Sequence, residues 1–110
     1  MESFGQKIRD LRNAKGYSLR QLAPIVGVGF SYLSKVECER LPFGDSPSAD
    51  LIIRLAEALD GDADELMLQA GRIPDFMVQR ICEQPEAFRM LARCHPDQLE
   101  EVVGGLHEKR

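Results

Sequence analysis

Apolar residues recur along the first seventy positions at helical spacing, with polar residues between them. Phe4, Ile8 and Leu11 fall at i, i+4 and i+7, which predicts an amphipathic helix opened by Ser3 and closed by Gly16. Ser18-Leu19-Arg20-Gln21 has the form of a capping box, in which the Ser18 hydroxyl accepts from the Gln21 amide and the Gln21 side chain reaches back. It opens a second helix over about 19–26, carrying Leu19, Leu22, Ala23 and Val26, with a bend expected at Pro24. After Gly27-Val28-Gly29, a third helix over about 30–38 places Phe30, Leu33 and Val36 on one face. Residues 39–48, ERLPFGDSPS, read as a loop. A fourth helix, about 48–59, gathers Leu51, Ile52, Leu55, Ala56 and Leu59, with Gly61 as its expected terminator. A fifth, 63–70, is capped by Asp62 or Asp64 and ends at Gly71. No stretch alternates as a strand does, so the expected class is all-α.

Beyond Gly71 the pattern changes. Pro74-Asp75, Pro85-Glu86 and Pro96-Asp97 recur every eleven residues. Proline in the first helical turn sacrifices no intrahelical bond, and an acid beside it suits the positive end of the helix dipole. Three short helices follow, roughly 74–83, 85–94 and 96–107. Their apolar faces carry Phe76, Met77 and Ile81, then Phe88 and Leu91, then Leu99, Val102, Val103 and Leu106. Helices this short are marginal alone, so each face needs something to pack on. The expected organisation is a domain over 1–71 and a helical arm over 72–110, either folded back or paired with a second subunit. Pairing is the preferred expectation.

A chain of 110 residues, 44% hydrophobic, suits one compact domain with an appendage. No apolar run approaches the roughly 20 residues a membrane helix needs. The N-terminus, MESFGQKIRD, has no apolar signal core. Three cysteines without a CxxC pair make no disulfide framework, so a reduced, cytoplasmic protein is expected. The net charge of −4 hides an asymmetry. Residues 1–40 hold seven cations and four anions, a net +3; the remainder holds seven and fourteen, a net −7. A basic front half suggests an anionic partner.

The segment 19–38 carries the most information. Ala23 is small where a following helix must cross it. Gly27 supplies the positive φ of a tight turn, and Val28, Leu33 and Val36 turn inward. With SxxQLA, GV, YLSKVE and the later LIIRLAEALDGDADELM, the chain resembles the lambda-repressor/Cro-like family of xenobiotic-response-element-type regulators over about residues 4–70. That resemblance implies a five-helix DNA-binding domain followed by a short helical arm. The third helix would lie in the major groove. Phe30, Ser31, Ser34 and Lys35 would then face bases, with Tyr32 beside them. Ser18, Arg20 and Arg40 would contact phosphates, and Arg12 with Glu37 would form a buried ion pair between the first and third helices. The implied function is a sequence-specific transcription regulator of the repressor type. It would bind double-stranded DNA as a homodimer on a palindromic site. An alternative is an antitoxin or adaptor using the same fold, with the acidic arm gripping a toxin or metallopeptidase. The sequence departs from the family pattern at Leu19, where a phosphate-binding Gln is common, and at Gly29, where a Ser or Thr cap is usual.

Other chemistry finds little support. Cys82, Cys94, His95 and His107 are types that bind zinc, but no close pair sets two ligands on one element, so no metal or other cofactor is expected. The cysteines are expected to be buried and the histidines partly exposed. Cys38 ends the third helix as a lone thiol. No nucleophile–base arrangement or phosphate-binding glycine loop occurs, and an enzyme is not expected.

Overall fold

A computed structural model describes residues 2–42 and 46–108. They form eight α-helices and no strand among the described residues. The first five are α1 (Phe4–Lys15), α2 (Leu19–Ile25), α3 (Phe30–Cys38), α4 (Ala49–Leu59) and α5 (Ala63–Gln69). The last three are α6 (Asp75–Glu83), α7 (Pro85–Arg93) and α8 (Pro96–Glu108). The chain divides into two compact units, Met1–Pro74 and Asp75–Arg110. No helix of the described residues is long and apolar enough to cross a membrane.

Short polar side chains start the helices of the first unit. The Ser3, Ser18 and Ser48 hydroxyls accept from the backbone N–H three residues on, and one Asp62 carboxylate oxygen accepts from both Asp64 and Glu65. Each of these bonds satisfies a donor that the first turn leaves without a partner. At Ser18 the box is complete, since Ser18 N donates to Gln21 Oε1 at 2.8 Å.

Helix α1 packs on α3 and α4, α2 on α3, and α4 on α5. Their shared core holds Phe4, Ile8, Leu22, Val26, Leu33, Val36, Leu51, Ile52, Leu55, Leu59 and Leu66, with Ala23 and Ala56 where helices approach closely. Burying each large side chain stabilises by about 1.5–3 kcal/mol. Gly5 permits the closest approach. A Cβ there would stand 2.3 Å from the Glu37 carbonyl oxygen, so α1 meets the end of α3 backbone to backbone.

Several expectations need correction. α4 ends at Asp60, which adopts the left-handed conformation (φ 54°), and not at Gly61. Aspartate tolerates that region better than most residues, and Lys15 pairs with its carboxylate. Gly61 instead fits between Leu11 and Leu66, whose methyls lie 3.1 and 3.3 Å from where its Cβ would be. Pro24 falls in the last turn of a seven-residue helix that stops at Ile25, one residue short of the expected end. Arg72, just past the expected boundary at residue 71, donates to the Pro47 carbonyl at 2.8 Å. Of the expected loop 39–48, residues 43–45 lie outside the described residues.

The second unit is built differently. α6 packs on α7, and Ile81, Phe88, Leu91, Ala92 and Leu99 line an apolar groove. None of the described residues from 75 to 107 is buried. Pro85 opens α7 as expected, whereas Pro74 precedes α6 and is not its first residue. Cys38 and Cys82 are exposed and Cys94 is half-buried, against the expectation of buried thiols. Cys38 sits on the outer end of α3, and α6, which carries Cys82, has no buried residue at all.

Candidate nucleic-acid interface

Two short helices joined by a tight turn create the site. Ala23 is buried beneath the crossing, and Val28 N donates to the Ala23 carbonyl at 3.0 Å, closing the turn. Gly27 adopts φ 74°, a conformation that would strain any L side chain. The α4 side chain of Arg54 lies against this glycine, its Nη1 2.9 Å from where a Cβ would be. Sequence reasoning did not place Arg54 there.

Helix α3 has an inner and an outer side. Leu33 and Val36 are buried in the core, and Glu37 beside them is 5% exposed. Phe30, Ser31, Tyr32 and Lys35 are exposed on the outer side, while Ser34 is half-buried at its edge. Gly29 caps the helix without a side-chain hydrogen bond, leaving the first backbone N–H groups available to an anion. A Cβ at Gly29 would meet nothing within 4 Å, so the missing Ser or Thr is not a matter of space.

The buried carboxylate of Glu37 fixes the orientation of α3. Arg12 Nε donates to Glu37 Oε2 at 2.7 Å and Arg12 Nη2 to Glu37 Oε1 at 3.0 Å, a two-pronged pair across the core edge. Arg12 Nη1 donates to the Tyr17 carbonyl at 2.9 Å, and Arg9 Nε lies 3.6 Å from Glu37. The hydrogen bond to Glu37 raises the Arg12 pKa above its ordinary value; burial works against this, and the attraction of the carboxylate adds to it. This is a structural tie. It sets the angle at which the outer side of α3 is presented.

The remaining cations sort themselves by partner. Lys7 pairs with Glu65, Arg9 and Arg12 with Glu37, and Lys15 with Asp60. Among the described residues, Arg20, Lys35 and Arg40 form no ion pair. They sit in the first turn of α2, on the outer side of α3, and just past the end of α3. Ser18 is exposed next to Arg20, its oxygen accepting from Gln21 and its hydroxyl proton left to donate. The Arg20 guanidinium carbon lies 4.5 Å from the centre of the Phe30 ring, a cation–π stack between the first turn of α2 and the first residue of α3. Ten residues separate the two, and no spacing rule would have joined them. Elsewhere, no group of three or more His, Cys, Asp or Glu among the described residues could hold a metal ion.

The helix-turn-helix family model matches residues 8–66. An uncharacterised HTH-type transcriptional regulator of Bacillus subtilis, RghRB, is 33% identical over 89 residues, covering 81% of this chain and 61% of the relative. The HTH-type transcriptional repressor RghR of Bacillus subtilis is 36% identical over 75 residues, covering 68% of this chain and 53% of the repressor. The crystal structure of SinR, a master regulator for biofilm formation, in complex with DNA matches with 36% identity and a TM-score of 0.52. That match covers 58% of this chain and 97% of the other. The chain spans little more than half the length of the curated relatives it matches.

Proposed function

The chain belongs to the helix-turn-helix family in its lambda-repressor-like, xenobiotic-response-element branch, and from that premise we propose that it is a transcription repressor that binds a palindromic DNA site as a homodimer. The observation that carries this reading is the sorting of the cations. Those elsewhere in the first forty residues are consumed by internal pairs. The three without partners, Arg20, Lys35 and Arg40, stand along the helix-turn-helix. Unpartnered cations on an exposed face neutralise phosphates and release the counterions condensed on the DNA.

In this reading α3 enters the major groove. Ser31, Tyr32, Ser34 and Lys35 face base edges with Phe30, and Lys35 donates to guanine O6 or N7. Ser18 and Arg40 supply the flanking phosphate track, with the free N–H groups of the α2 and α3 N-termini beside them, and Arg20 stands within reach of the same DNA edge. One recognition helix gives too little contact for specific binding, and two-fold pairing is the usual remedy. Residues 1–71 carry the contacts and residues 72–110 supply the pairing, since the arm presents Phe76, Met90 and Leu106 more than half exposed.

A salt titration of DNA binding tests the proposal, using a fluorescent duplex taken from beside the chain's own reading frame. With roughly 6–10 phosphates neutralised per dimer, log affinity falls against log salt with a slope near −5 to −9. Binding that ignores salt, or no binding to any fragment, contradicts it. The apolar arm also supports a second reading, an adaptor or antitoxin whose arm grips a protein partner such as a toxin or metallopeptidase. Specific DNA binding by the purified chain alone favours the first.

A further inference from the structure

The stack between Arg20 and Phe30 gives the arginine a role beyond charge. Charge alone can neutralise a phosphate, whereas a guanidinium held in one plane is a directional two-pronged donor that a lysine cannot imitate. Here the guanidinium carbon lies over the Phe30 ring, 4.5 Å from its centre, and no carboxylate of the described residues pairs with it. Its N–H groups lie in the guanidinium plane, and no hydrogen bond of the described residues occupies them, so they remain a two-pronged donor. Phe30 is the first residue of α3, at the end of a recognition helix that meets base edges. It is 39% exposed, and Leu33 and Val36 do the inward packing of this helix. The part of the ring that Arg20 leaves exposed is a surface for another apolar group.

We propose that Arg20 and Phe30 form one reading unit for a thymine–guanine step, resting on the DNA-binding function proposed above. Arg20 donates to O6 and N7 of the guanine, held in plane by the ring. Phe30 covers the C5 methyl of the thymine in the adjacent base pair. Both groups lie in the major groove, and each marks its base uniquely there. Arg20 thus reads sequence from the first turn of α2, a helix that otherwise crosses the backbone.

The test starts from a random double-stranded library enriched on the full-length chain, followed by anisotropy titrations of the enriched duplex. Three altered duplexes serve as probes: one guanine replaced by 7-deazaguanine, the neighbouring thymine by uracil, and the step transversed. With the unaltered chain, loss of N7 at one guanine weakens binding about ten-fold, and loss of the adjacent methyl about three-fold. Arg20→Lys keeps the charge but not the fork, and it abolishes the 7-deazaguanine effect at that guanine alone. Phe30→Leu lowers the uracil effect and weakens the guanine preference together. Both side chains are exposed, and an unchanged melting temperature for each variant shows that the fold is intact. A half-site with no thymine–guanine step overturns the inference, and so does an Arg20→Lys variant that binds every duplex in the same proportion as the parent. A library with no enriched sequence overturns the DNA-binding reading itself, and this inference with it.

Discussion

Both units of the chain are built from helices, and they differ in almost everything that stabilises a helix. From Phe4 to Leu66 the helices share one core of thirteen buried hydrophobic residues, and side chains cap the starts of α1, α2, α4 and α5. In α6 and α7 nothing is buried, and α7 begins without a side-chain cap bond at Gln84. Only at α8 does a comparable start appear, where Gln98 Oε1 accepts from His95 N and His95 Nδ1 accepts from Asp97 N. Amphipathic pattern and proline punctuation make three helices recognisable, but burial makes them stable. The first unit meets that condition within one chain. The described residues of the second, from 75 to 107, do not.

The ion pairs sharpen the contrast most. Removing Arg12 as Arg12→Ala strands a Glu37 carboxylate whose side chain is 1% exposed, and it should cost about 4 kcal/mol in urea unfolding. In the second unit, Glu86 and Arg89 pair across one turn with side chains 73% and 66% exposed. Glu86→Ala should change stability by less than about 0.5 kcal/mol. Equal costs for the two would erase the distinction between the units.

Cavities come next. Leu55→Ala in the core should cost about 3 kcal/mol at any protein concentration. Leu99→Ala, in the groove of the second unit, should lower the melting temperature only in the concentration range where the chain associates. A concentration-independent loss at Leu99 would mean that the arm is stabilised within its own chain.

Close packing at Gly5 is a third difference. A methyl group there meets the backbone of α3, and Gly5→Ala should cost about 2 kcal/mol with a matching fall in melting temperature. The half-buried Gly104 and Gly105 of α8 have open space around the same atom, so alanine at either should stabilise the chain slightly.

Much of the first unit was legible because its signals are local. Ser3, Ser18 with Gln21, and Ser48 mark helix starts through bonds spanning three residues, and the turn at Gly27 needs a residue that accepts positive φ. What escaped notice depends on distance in the chain. Gly5 looks like any weak helix former until α3 is laid across it. Arg54 beside Gly27, and Arg20 over Phe30, join residues with no sequence rule between them. Local rules also erred where either of two neighbours could end a helix. Asp60 took the left-handed position, beside a glycine that packs instead. In the second unit the elements were legible and the buried faces were not, because a face packed on another molecule leaves the same pattern as one packed on its own chain.

A gain in stability is expected at the end of α3. Glu39 holds φ 56°, and Glu39→Gly should relieve that conformation and raise stability by about 1 kcal/mol in thermal unfolding. It also removes an anion beside Arg40, so DNA affinity should rise slightly at low salt and equally on all sequences.

The proposed division of labour sets the reading of DNA in the first unit and pairing in the second. It is tested by titrating one enriched duplex with the full chain and with residues 1–74, following anisotropy and the mass of each species by sedimentation. The full chain is expected to bind as a dimer in one cooperative step. Residues 1–74 are expected to melt cooperatively as a folded monomer, and to bind each half-site independently with affinity at least about a hundred-fold weaker. A shortened chain that still dimerises and binds the duplex as tightly as the full one would contradict the account.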